Sequence, residues 1–126
     1  MNIILIYILY YFLIIIIINS VNNETKSLDF IHEGSLPNHN ILNSNSVIIL
    51  DAFSEVYLWR GSRSPLETRN LGVSLTKYLY KNHPLYKRPS WAILEKISEN
   101  FEPVLFTEKF CDHYVWDDSN GSIVYS

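Results

Sequence analysis

Cys111, Asp112 and His113 set a thiol, a carboxylate and an imidazole side by side. Those are the group types of a cysteine nucleophile, its orienting acid and its base. Three consecutive positions cannot supply the geometry, because such groups must converge from separate elements onto one reacting atom. The other histidines, His32, His39 and His83, show no metal-ligand spacing among themselves or with His113. His32 and His39 fall in a polar stretch and read as solvated loop residues. Asp117 and Asp118 are neighbours near the chain end and read as solvated carboxylates. Gly61, Gly72 and Gly121 do not build a phosphate loop. No catalytic constellation emerges, and no enzyme is expected.

What is left points to binding. Lys77, Lys81, Lys87 and Arg88 make a basic patch. It reads either as favourable charge at a helix C-terminus, worth a few tenths to ~1 kcal/mol each, or as a weak phosphoinositide contact. Leu66, Val73 and Tyr80 recur every seventh residue, flanked by Arg69 and Thr76. They are either scattered exposed apolar residues, which are common, or a stripe that docks on a partner. A chain of 126 residues supports one domain. A net charge of −3 and a pI of about 5.7 give no electrostatic reason to expect nucleic-acid binding. One cysteine, Cys111, excludes an internal disulfide and a cysteine-rich zinc site.

These residues need elements to position them. Val47 to Leu50 is a continuous apolar run, as in a strand buried on both faces. Asp51 to Ser54 is a turn, and Glu55 to Trp59 resumes as a β-branched and aromatic strand. Ser64, Pro65 and Glu67 form the sequence pattern of an N-cap, a first helical proline and a capping box. The helix should run to about Asn82, where His83-Pro84 stops it. On its wheel Leu71, Leu75, Tyr78 and Leu79 form the core face, with Thr68 and Gly72 at its edge. Trp91 to Ile97 reads as a third strand, and Glu102-Pro103 opens a shorter helix through Phe110.

The chain begins differently. Ile3 to Ile18 is uncharged and apolar, slightly shorter than the roughly 20 residues that span a bilayer. It lacks the basic n-region and the cleavage site of an ordinary signal peptide. Residues 1–20 are therefore assigned as an apolar leader: a signal peptide, an anchor, or a stretch translated from a wrongly assigned start. Residues 21–40 are an Asn/Ser-rich linker, 41–118 the folded repeat and 119–126 a tail. On this division a chain starting near Leu28 should fold on its own. Asn23 and Asn120 lie in N-glycosylation sequons, which matter only if the leader directs secretion.

The stretch "VIILDAFSEVYLWRGSRSPLETRNLGVSLTKYLYKNHP" resembles a gelsolin/villin-type repeat. Leu50-Asp51, then Glu55-Val56-Tyr57-Leu58-Trp59 and Gly61, follow the family pattern. So does "RPSWAILEKISENFEPVLFTEKFCDHYVWDD", with Glu102-Pro103, Phe106, Phe110 and Trp116. The resemblance covers about residues 41 to 118 and looks most like a last repeat of villin- or supervillin-type proteins. It implies an α+β fold, a gelsolin-like mixed sheet between one long and one short helix. It implies an actin-binding module of the cytoskeleton, with filament binding and capping as the finer expectations, and no catalysis. Leu66, Arg69, Val73, Thr76 and Tyr80 are then the actin-contact candidates. Lys77, Lys81, Lys87 and Arg88 are the phosphoinositide candidates. The alternative is a secreted or membrane-tethered repeat that has lost actin.

This sequence also departs from the family pattern. The family's calcium site uses an Asp before the first apolar strand and a Glu on the long helix. Ser46 and Thr68 hold those places, and two hydroxyls are poor substitutes for two carboxylates. No calcium or other cofactor is expected. The family's upstream strand is not legible in "DFIHEGSLPNHN", which implies a truncated repeat.

Overall fold

The computed structural model describes residues 15–83, 87–112, 114–117 and 122–125. Five strands form one sheet: β1 Ile16–Asn22, β2 Ser27–Gly34, β3 Val47–Asp51, β4 Glu55–Arg60 and β5 Ile93–Ser98, in the order β2-β1-β3-β4-β5. The first four pair antiparallel, and β5 lies parallel to β4. A parallel neighbour needs a crossover connection. Here that crossover carries the long helix α1, Leu66–Lys81. A short helix α2, Val104–Thr107, packs on the other face. Strands β6 Tyr114–Asp117 and β7 Ser122–Tyr125 pair with each other antiparallel, so the residues assigned to a tail contain a strand. The architecture is the α+β fold expected.

Alternation along the strands sends side chains to two cores. Ile16, Ile18, Ile48, Leu50, Tyr57, Trp59 and Ile97 meet Phe106 and Phe110 on the α2 face. Val21, Val47, Ile49, Val56 and Leu58 lie under α1. β3 is buried along its whole length, as its unbroken apolar run requires.

The division into leader and linker is corrected. Ile16 and Ile18, inside the assigned leader, are buried in the core at 1% and 0% exposure. Val21 to Gly34, inside the assigned linker, completes β1 and forms β2. The composition misled because β2 is an edge strand among the described residues, largely open to water. Such a strand can be polar along most of its length. Its irregular pairing hides it further: the register shifts between Ile18 and Asn19, leaving Ile31 without a partner residue. The upstream strand that seemed missing is therefore present, and Asp29 to Gly34 is part of it. Residues 1–14 lie outside the described residues. Among the described residues no helix is long and apolar enough to cross a membrane.

Two glycines let the layers close. A Cβ on Gly72 would come within 2.8 Å of Val47 Cγ1 and 3.2 Å of Leu58 Cδ1, so this position sets how near α1 approaches the sheet. A Cβ on Gly61 would sit 2.2 Å from the Ser44 carbonyl oxygen. Only glycine fits where the loop after β4 crosses the segment before β3.

Candidate functional site

The capping box at the start of α1 does not form. Pro65 takes the N-cap position without a side-chain cap. The Ser64 hydroxyl donates to the Gly61 carbonyl at 2.7 Å and accepts from Arg69 Nε at 2.8 Å. Glu67 instead accepts from Asn23 in the β1–β2 turn. Arg69 Nη2 donates to the carbonyls of Gly61 and Ser62. The Glu99 carboxylate closes the same corner, accepting from Ser62 N–H at 2.7 Å and from the Ser44 hydroxyl at 2.7 Å. Partial burial alone would raise the Glu99 pKa. The donors Ser62 and Ser44, with the charge of Arg63, outweigh it and hold the carboxyl below the usual range.

The helix is rotated from the expected wheel by roughly 70°. Its buried row is Thr68, Gly72 and Thr76. These are small residues four apart, and they let the backbone lie close to the sheet. Leu71, Leu75 and Leu79 flank this row on one side, Val73 and Tyr80 on the other, all packed on the cluster beneath. A wheel centred on the largest apolar residues misplaced the axis.

Four of the five expected actin-contact residues are consequently turned inward. Thr76 is buried and its hydroxyl donates to the Gly72 carbonyl. Val73 packs on the core, and Tyr80 does so while its hydroxyl donates to the Ala92 carbonyl at 2.6 Å. Arg69 is spent on its own loop. Leu66 alone stays out, at 70% exposure, and it is joined by Tyr78 at 64%, which the wheel had placed in the core. With Glu67, Asn70, Ser74, Lys77 and Lys81 these two make up the outward face of α1.

The basic patch also divides. Lys77, Lys81 and Lys87 are exposed. Arg88 is buried, and all five of its donors are used. Nη1 and Nη2 bind the two Asp51 oxygens at 2.8 and 3.0 Å. Nη1 also reaches the Phe53 carbonyl, Nη2 the Leu79 carbonyl at 2.8 Å and Nε the Tyr80 carbonyl at 2.8 Å. Arg88 thus caps the last turn of α1 and ties it to the end of β3, which removes it from the phosphoinositide set. Asp51 holds the tight turn as well, accepting from Phe53 N–H at 2.9 Å, where Phe53 sits at φ 70.

Two further polar groups escaped sequence reasoning because their members are far apart in the chain. Lys109 Nζ reaches Glu55 at 3.0 Å, and Tyr57 Oη donates to the same carboxylate at 2.6 Å. Burial first, then Glu55, pushes the Tyr57 phenol well up. His39, expected in a solvated linker, pairs instead with Asp112, and Cys111 N–H donates to the Pro37 carbonyl at 2.7 Å. Burial alone would raise the Asp112 pKa, but its hydrogen bond with His39 prevails and lowers it. Cys111 is exposed; His113 and Asp118 lie outside the described residues. At the expected calcium positions, Thr68 is buried and the Ser46 carbonyl accepts from Gly61 N–H at 2.9 Å.

A five-stranded mixed sheet between a long and a short helix, with the Leu50-Asp51 and Glu55 to Trp59 strands at its centre, defines the class. The chain belongs to the gelsolin repeat family, whose profile matches residues 33–107. Supervillin of Bos taurus is 34% identical over 101 residues, which cover 63% of this chain and 5% of that protein. Villin-3 of Oryza sativa subsp. japonica is 34% identical over 89 residues, covering 66% of this chain and 9% of that protein. The chain thus corresponds to less than a tenth of these long relatives. Among solved structures, Thorarchaeota 2DGel3 in complex with rabbit actin superposes with a TM-score of 0.57 at 27% identity, over 75% of this chain and 45% of that one. Thorarchaeota ProGel, also in complex with rabbit actin, gives 0.57 at 19% identity, over 74% of this chain and 96% of that one. That second likeness bears on the fold alone.

Proposed function

We propose that this chain is an actin-binding gelsolin repeat that uses the outward face of α1, works without calcium and acts at the actin cytoskeleton. The observation that carries the reading is the pair Leu66 and Tyr78. Both are large apolar side chains, mostly exposed, at the two edges of an otherwise polar helix face. The helix beneath them is hydrogen-bonded to its surroundings by Arg69 and Arg88 at its two ends. Support also comes from the actin-bound state of 2DGel3, a 27% identical neighbour. Filament capping is the finer form of the same proposal.

Interface energy concentrates in a few aromatic and aliphatic anchors, each worth more than ~1 kcal/mol. Leu66→Ala and Tyr78→Ala should each weaken co-sedimentation with filamentous actin about tenfold while leaving the melting temperature nearly unchanged. Val73→Asp should unfold the domain, because it sets a carboxylate against the apolar cluster under α1. Unaltered actin binding in both alanine variants would place the contact elsewhere. A wild type that does not sediment with actin would favour the alternative, a secreted or membrane-tethered repeat that has lost its partner.

Calcium independence rests on hydroxyls standing at both carboxylate positions, Ser46 and Thr68. A ligand at one hundred times its Kd adds ~2.7 kcal/mol of stability, a rise of roughly 10–20 °C for a domain of this size. Millimolar calcium should produce no such rise. A chelator-reversible increase would overturn this part of the proposal.

A further inference from the structure

We propose that the outer surface of α2 binds the basic end of α1 on a second copy of this chain, so that copies join head to tail. The inference is independent of the actin reading. It starts from Phe101, which is 81% exposed. Asn100 takes a left-handed conformation at φ 77, and Phe101 N–H closes the turn on the Ser98 carbonyl at 3.0 Å. The turn leaves the ring in solvent just before α2, whose outward residues Val104 and Leu105 are 68% and 50% exposed. Ile93 of β5 is also exposed, on the sheet face that Ile97 gives to the α2 core. Exposed apolar surface gathered in this way and rimmed by polar groups marks an interaction site.

Charge selects the occupant. Lys109 Nζ reaches Glu55 at 3.0 Å and Glu108 at 3.2 Å. The nearby Tyr57 phenol, raised first by burial and then by Glu55, also feels Glu95 and Glu108. Three carboxylates thus stand around one ammonium, and Glu95 and Glu108 are exposed. Lys96 alternates to the other face of the sheet, so the rim beside the apolar residues is net negative. The end of α1 has the opposite character. Lys77 and Lys81 are exposed around the outward Tyr78, and Lys87 follows. Residues 75–81 contain no carboxylate, and Asp51 is bound by Arg88. An aromatic anchor among lysines complements apolar residues beside carboxylates. The two surfaces lie on opposite faces of the sheet, so a copy cannot close the contact on itself and offers one surface to each neighbour. Such a contact is heterologous and extends copy by copy.

The test is sedimentation velocity of the full chain. Its mean mass should rise with concentration across about 1–200 μM, and less so in roughly 0.5 M salt, where exposed charges are screened. Phe101→Ser should weaken association about tenfold. Two charge-reversed chains make the sharper test: Glu95→Lys with Glu108→Lys, and Lys77→Glu with Lys81→Glu. Each alone sets like charges against each other and should lose association about tenfold or more; their mixture restores opposite charges at the contact and should recover it. The first of these chains keeps α1 unchanged, so its co-sedimentation with actin reports separately on the actin reading. A wild type that stays monomeric throughout, association unaffected by Phe101→Ser or by either charge reversal, or a mixture no better associated than its parts would overturn the proposal. Circular dichroism of each variant separates these results from loss of folding.

Discussion

A chain that starts at Leu28 should show no cooperative thermal transition, whereas one that starts at Ile15 should melt as a single unit. The division into leader and linker instead predicts that a chain starting near Leu28 folds on its own. Loss of β1 removes Ile16, Ile18 and Val21 from the two cores. Burial of such side chains contributes about 1.5–3 kcal/mol each, against a net stability of only ~5–15 kcal/mol for a whole domain. The hydrogen-bond loss compounds this. β1 lies between β2 and β3, so its removal strands β2 and leaves the outer edge of β3, an entirely buried strand, with unpaired backbone groups. A cooperative melt from the shorter chain, followed by circular dichroism, would mean that β1 is an accessory strand.

Arg88→Ala should destabilise the domain by ~3–5 kcal/mol, the usual cost of removing one member of a buried ion pair. The loss is compound here. Asp51 is left as an uncompensated buried carboxylate, and the carbonyls of Phe53, Leu79 and Tyr80 lose their donor together. Arg88→Lys should rescue little, because one ammonium cannot reproduce a five-donor planar fork. A joint Asp51→Leu, Arg88→Met change removes the orphaned charge and should recover part of the loss. It cannot recover all of it, since the helix-end carbonyls stay uncapped. Urea midpoints of the variants measure this directly; an Arg88→Ala midpoint within error of wild type would show that water satisfies these groups equally well.

The sequence alone determined the centre of the sheet and the span of the long helix. Val47 to Leu50 and Glu55 to Trp59 carry their strand character in local apolar and β-branched composition. The turn between them and the stop near His83-Pro84 are equally local. The separated motifs Leu50-Asp51, Glu55 to Trp59, Gly61 and Glu102-Pro103 were enough to point to the family. Only the tertiary structure decided the rest. Asn19 and Ser20 look like the end of an apolar leader until β3 is set beside them, and β2 looks like linker because an edge strand can be mostly solvated. The helix face was misjudged because close packing on a sheet selects the smallest residues, Thr68, Gly72 and Thr76, where a wheel weighs the largest. Arg88 looked like one of four surface cations, and its partner Asp51 like a turn residue. Their union depends on the crossover that brings the end of α1 back beside β3, and no local pattern encodes a contact made across 37 positions of the chain.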